Sequence, residues 1–82
     1  MITGDAAEDL DAMYPLYRLR EAGWEVDVAA PSRRDVQLVV HDFDPGFDAY
    51  TEKAGRRLPV DLTFSEVAVE RYGALVIPGA GN

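Results

Sequence analysis

The 82-residue sequence contains no cysteine. No disulfide framework can staple it, and no thiolate can be drawn from these residues as nucleophile or metal ligand. Basic residues are also scarce: 8 Lys and Arg stand against 15 Asp and Glu, for a net charge of −7. That balance excludes nucleic acid and anionic membrane surfaces as partners, since both require clustered cations. The pairs Arg18/Arg20, Arg33/Arg34 and Arg56/Arg57 are too dispersed to form a basic stripe. No apolar run approaches the ~20 residues of a membrane span. No basic leader followed by an apolar segment opens the chain, so the expected location is cytoplasmic. What is present suits a small fold: hydrophobic residues make up 48% of the chain, enough for a core rather than disorder. A chain this short buries only about 60–65% of its unfolded surface, so that core is marginal.

The order of elements reads strand, helix, strand, strand, excursion, strand. Met1–Thr3 resembles the tail of a strand. Gly4–Glu8 forms a turn, with Asp5 as a candidate cap, and a helix follows to about Ala22 with Gly23 beyond its end. Within the helix, Ala12, Leu16 and Leu19 share an arc suited to packing on a sheet. Leu10, Tyr14 and Tyr17 form a second arc more than ~90° away. One small sheet cannot easily cover both arcs, so the second is read as a subunit contact, as a face for further polypeptide of the same chain, or as a plainly exposed face. "WEVDVAA" and "VQLVV" read as strands, separated by the turn "SRRD". Residues 41–59 carry Pro-Gly and read as a loop or hairpin excursion. "VDLTF" alternates like a short strand, "SEVAVERYG" allows one helical turn, and "ALVIP" reads as a buried strand stopping at Pro78. A strand–helix–strand opening with apolar strands implies a parallel sheet with a right-handed crossover. Such sheets place their sites beyond the carboxyl ends of the strands. Here those ends are Gly4–Asp11, the Pro31 turn and Pro78–Asn82.

Two features at these ends invite chemical readings. Asp5, Glu8, Asp9 and Asp11 crowd one turn. Crowded carboxylates raise one another's pKa, and one of them could then serve as a general acid. The alternative is a solvated helix start whose charges match the helix dipole. Pro15 removes the helical hydrogen bond to the Asp11 carbonyl and would aim the chain beside Asp11. Alternatively, Pro15 lies in the first turn of a helix that begins later. His41, Asp42 and Asp44 could hold a cation weakly, and Asp42 with Asp5 and Glu8 could form an acidic Mg²⁺ pocket. A solvated turn is the preferred reading, and no metal or cofactor is expected.

"TGDAAEDLDAMYPLYRLREAGWEVDVAAP", continued by "VDLTFSEVAVERYGALVIPG", closely resembles the N-terminal half of the DJ-1/PfpI (ThiJ/PfpI) superfamily. The resemblance implies an α/β, flavodoxin-like (Rossmann-like) parallel sheet with flanking helices, related to class I glutamine amidotransferases and truncated to its N-terminal half. Residues 1–82 would then form a single partial domain. Relatives are cytosolic dimers or hexamers, described as intracellular peptidases, glyoxalase or deglycase-type enzymes, or stress proteins. Their chemistry uses a cysteine at a strand-to-helix elbow, hydrogen-bonded by an acidic residue of the first helix. That position matches Asp11, where most relatives have the longer Glu. A "PGG" loop in relatives supplies oxyanion-hole N–H groups, and here Gly79 matches its first glycine while Ala80 replaces the second. The implied function is that of a peptidase- or deglycase-like fragment, not catalytic alone because the cysteine half is missing. The alternatives are half of a split enzyme completed by a second chain, and a non-catalytic module that forms a homo-oligomer through Leu10, Tyr14 and Tyr17.

Overall fold

The computed structural model describes residues 1–43 and 50–79, giving backbone alone at 41–43 and 50–52. Among the described residues, the α-helix α1 spans Asp9–Glu21. It is followed there by strands β1 at Ala29–Ala30, β2 at Val36–Phe43, β3 at Tyr50–Leu58 and β4 at Leu62–Thr63. Single 3₁₀ turns lie at Phe64–Glu66 and Val69–Arg71. No helix among the described residues is long and apolar enough to cross a membrane.

The helix ends where local chemistry requires it. Gly23 has φ +95°, in the left-handed region that costs glycine little. The Trp24 N–H donates to Leu19 O at 3.0 Å and the Gly23 N–H to Arg20 O at 3.0 Å. This pair of bonds is a Schellman motif, and it satisfies two of the last carbonyls of α1. The first turn contains Asp9 and Asp11, and the last contains Arg18 and Arg20, so both ends match the dipole. Pro15 lies inside α1, not in its first turn. The reading in which Pro15 lies in the first turn of a later-starting helix is therefore corrected, because Ala12 N–H already donates to Glu8 O at 3.1 Å.

A parallel sheet runs through the middle of the chain. β1 pairs with β4 in parallel, Ala29 opposite Leu62 and Ala30 opposite Thr63. Ile2 bridges Ala29 on the other side, also in parallel, and its N–H donates to Val76 O at 3.0 Å. Met1–Thr3 thus lies between β1 and the stretch around Val76. The β1 ladder is much shorter than "WEVDVAA", and Asp61 explains why. Its carboxylate accepts the Val28 N–H at 2.7 Å, taking a donor that a longer ladder would need. β2 and β3 form a separate antiparallel pair, and β2 runs beyond "VQLVV" into the stretch assigned to the excursion.

The core lies between α1 and one face of these strands. Ala12, Met13 and Leu16 pack with Val28, Ala30, Val36, Leu38 and Leu58. Met13 takes the place expected of Leu19, which is only half-buried at the end of the helix. The opposite sheet face is open among the described residues. A groove of about 560 Å³ there is lined by Ile2, Ala29, Leu62, Phe64, Val69 and Leu75, among others. "ALVIP" is accordingly not a buried strand: Leu75 and Ile77 are 63% and 66% exposed. Its apolar side chains face a side that no described element covers.

Candidate functional site

The site is built on the turn that carries the chain from Met1–Thr3 into α1. That turn is stitched on both flanks. On one flank, Ala6 N–H donates to Gln37 O and Val39 N–H donates to Ala7 O, each at 3.0 Å. On the other, Glu8 N–H donates to Gly79 O at 2.8 Å. Residues 6–8 therefore behave as a short parallel strand inserted between β2 and the segment ending at Gly79. Ala6 reaches this position only with φ +69°, a left-handed conformation that a non-glycine residue adopts at a cost. Its backbone bond to β2 holds it there.

The four carboxylates of the turn do not share one site. Asp5 is paired with Arg34 and accepts the Gln37 N–H at 3.1 Å. The Arg34 hydrogen bond, and after it the Gln37 N–H, hold the Asp5 carboxyl below its ordinary range. Asp5 does not cap α1, because the N-cap is Glu8, which itself makes no side-chain cap bond. Asp9 is buried, 4% exposed, and turns to the hairpin. Its Oδ1 accepts from Arg56 Nη1 at 2.6 Å and its Oδ2 from the Arg56 N–H at 2.7 Å. Glu8 keeps Oε2 out of solvent. Among the described residues no group of three or more His, Asp or Glu side chains could hold a metal ion. The expected crowding is thus not one cluster: Asp5, Asp9 and Asp11 each face a different neighbour, Arg34, Arg56 and Gly79.

Asp11 has a different neighbour again, Gly79. Its carboxylate lies against Gly79, so closely that a Cβ on Gly79 would sit 2.6 Å from Asp11 Oδ2. A side chain at this position would have to push the exposed Asp11 carboxylate aside. Pro15 lacks the N–H that would bond the Asp11 carbonyl, leaving the backbone at Asp11 free of one helical constraint. The sequence-predicted pair Asp11 and Gly79 is therefore brought together across most of the chain, at the carboxyl ends of the parallel strands. A carboxylate in this position can accept a proton from a neighbouring group or return one. Leu10, Tyr14 and Tyr17 are 67%, 68% and 57% exposed on the outer side of α1, away from the core. Ala80 and Asp44 lie outside the described residues, and His41 and Asp42 outside the described side chains.

Sequence reasoning missed the Asp9–Arg56 pair and the closeness of Gly55 to it. A Cβ on Gly55 would meet Asp9 Oδ2 at 2.7 Å. The available signal was a lone glycine inside "YTEKAGRRL", since glycine within a strand commonly marks a bulge or a close approach.

The family model of the DJ-1/PfpI family matches residues 1–82. An uncharacterized protein of Archaeoglobus fulgidus is 43% identical over 72 residues, 88% of this chain and 34% of that protein. A deglycase of Thermococcus kodakarensis is 37% identical over 79 residues, 96% of this chain and 39% of its own length. A plant relative, the DJ-1 homolog D of Arabidopsis thaliana, is 34% identical over 82 residues, 96% of this chain and 21% of that protein. The chain thus spans between a fifth and two fifths of these relatives.

Proposed function

Because this chain belongs to the DJ-1/PfpI family, we propose that it carries the acidic half of a cysteine-dependent, deglycase-type site. Asp11 would be the acid, and Gly79 and Ala80 would supply backbone N–H groups to a developing oxyanion. What supports the reading is one contact, the Asp11 carboxylate seated against Gly79. In this reading a thiolate and a substrate carbonyl would meet beside that contact. Several archaeal relatives are named deglycases, and a carbonyl adduct of an amine or thiol is the substrate class that name implies. A peptide bond is the second substrate of this kind, since both reactions pass through a tetrahedral oxyanion.

These 82 residues hold no cysteine. The thiolate must therefore come from polypeptide outside them, either in continuation or as a second chain, and the 82 residues alone are not catalytic. In the assembled site, Asp11 would hydrogen-bond the thiol and take its proton as the sulfur adds to the carbonyl carbon, the C=O π electrons moving onto the oxygen as the oxyanion. A cytoplasmic location goes with this proposal. The test is a chimera: the Thermococcus kodakarensis deglycase with its matching segment replaced by this chain. It should hydrolyse a dicarbonyl-modified amino acid, and D11N should lower kcat by about 10²-fold or more, the usual range for a lost acid–base group. A folded, active chimera indifferent to D11N would overturn the assignment of Asp11.

The outer face of α1 favours a second, non-catalytic role beside the first. Leu10, Tyr14 and Tyr17 are each more than half exposed, in a stripe suited to self-association. Homo-oligomers that Y14E or Y17E converts to monomers in sedimentation would support it. Unchanged association in both variants would remove it.

A further inference from the structure

β3 does not pair evenly with β2. Gln37 stands opposite Arg57 and Val39 opposite Ala54. One residue of β2, Leu38, therefore faces two of β3, Gly55 and Arg56, which is a β-bulge. A bulge leaves a backbone donor without a ladder partner and bends the strand. Here the Arg56 N–H is that donor, and it goes to Asp9 Oδ2 at 2.7 Å. The Arg56 guanidinium closes on the other oxygen at 2.6 Å. Gln37 Nε2 braces the bulge from the opposite strand, donating to Leu38 O at 2.9 Å and Gly55 O at 3.0 Å. Gly55 leaves the Asp9 carboxylate just enough room. Asp9 is the first residue of α1, one position from Glu8 and two from Asp11.

We propose that Asp9, Gly55 and Arg56 form a positioning latch, in which the carboxylate takes the amide freed by the bulge and fixes the first turn of α1 so that Asp11 lies over Gly79. Asp9 and Arg56 are positioning residues, not catalytic ones. The turn needs such a hold because its own geometry is strained at Ala6 and its helix start has no side-chain cap bond. The backbone bonds of Ala6 and Ala7 to β2 fix the turn along the sheet. The latch fixes the rotation of the helix start, which decides where the side chain two residues on will point. The latch bears on chemistry only through the site proposed above, but its test reads geometry rather than activity, so either can fail alone.

The experiment is nuclear magnetic resonance on the 82-residue chain, following the Overhauser signal between the Gly79 α-protons and the Asp11 β-protons. In D9A, which leaves the Arg56 N–H without its acceptor, the signal should weaken at least threefold. G55A should do the same with the carboxylate still present, because the added methyl displaces it. D9N, which keeps an acceptor for the amide, should retain at least half of the signal. An Overhauser signal of wild-type strength in folded D9A and G55A would overturn the latch. Should both variants lose their dispersed spectra, D9N decides. A folded D9N that keeps the signal confirms the acceptor role, and a folded D9N without it refutes that role.

Discussion

The two faces of the parallel sheet differ sharply. On the α1 side, Leu16, Leu38 and Val28 are 1%, 0% and 1% exposed. On the other side Val69, Leu75 and Phe64 are 76%, 63% and 47% exposed, around an open groove. Parallel strands are built for burial on both faces, and the chain's apolar residues are distributed accordingly. Only the α1 side collects the corresponding free energy within the described residues. The acidic turn is anchored to that packed side through Ala7 and Ala12, so its contact with Gly79 can be held in place while the opposite face stays open.

The comparison can be broken by substitution. Leu16→Ala should cost most, about 3 kcal/mol in the range usual for buried leucines, read as an abolished or strongly lowered thermal transition. Asp9→Ala comes next: it leaves a backbone donor unsatisfied and should cost about 2 kcal/mol, visible in urea unfolding. Gly79→Ala forces the Asp11 carboxylate aside and should cost about 1 kcal/mol as a local overpacking, with the largest chemical-shift changes confined to Asp11 and its neighbours. Val69→Ser on the open face should change stability by less than about 0.5 kcal/mol, as exposed positions do. A Val69→Ser protein destabilised as much as Leu16→Ala would show that the two faces are packed alike.

A pH effect is the smallest and sharpest. The Thr63 N–H, then Arg33 and the Thr63 hydroxyl, hold the Glu66 carboxyl down to about 2, from an ordinary 4.5. The folded value lies below the unfolded one, so the contribution is complete above about pH 4.5 and is lost as the pH falls toward 2. The melting difference between wild type and E66Q should therefore shrink across that window. A difference that stays constant from pH 6 to pH 2 would contradict the hydrogen bonds that Glu66 accepts from Thr63 and Arg33.

The limits of α1 were legible in the sequence because they are set locally, by acidic residues at its start and Gly23 at its end. The parallel start of the sheet was legible for the same reason, through apolar strands separated by a helix. The burial of "ALVIP" was not, because apolar content shows what a strand can tolerate and not what covers it. The short β1 ladder was hidden too, since it depends on Asp61 reaching Val28 from a distant segment. The Asp11–Gly79 pair came from family resemblance rather than spacing, because no local rule joins positions so far apart. The Asp9–Arg56 latch escaped altogether. Its partners are joined by a bulge, and only the pairing register reveals which amide that bulge sets free.

The central claim is that these residues hold the acid and the glycine loop of a site whose nucleophile lies elsewhere. Its most direct test is the turnover of a dicarbonyl-modified amino acid by the purified 82-residue chain, free of any companion polypeptide. The account predicts a rate equal to that of buffer, unchanged by D11N. Turnover above buffer that D11N abolishes would contradict it, for these residues would then perform the chemistry without a thiolate.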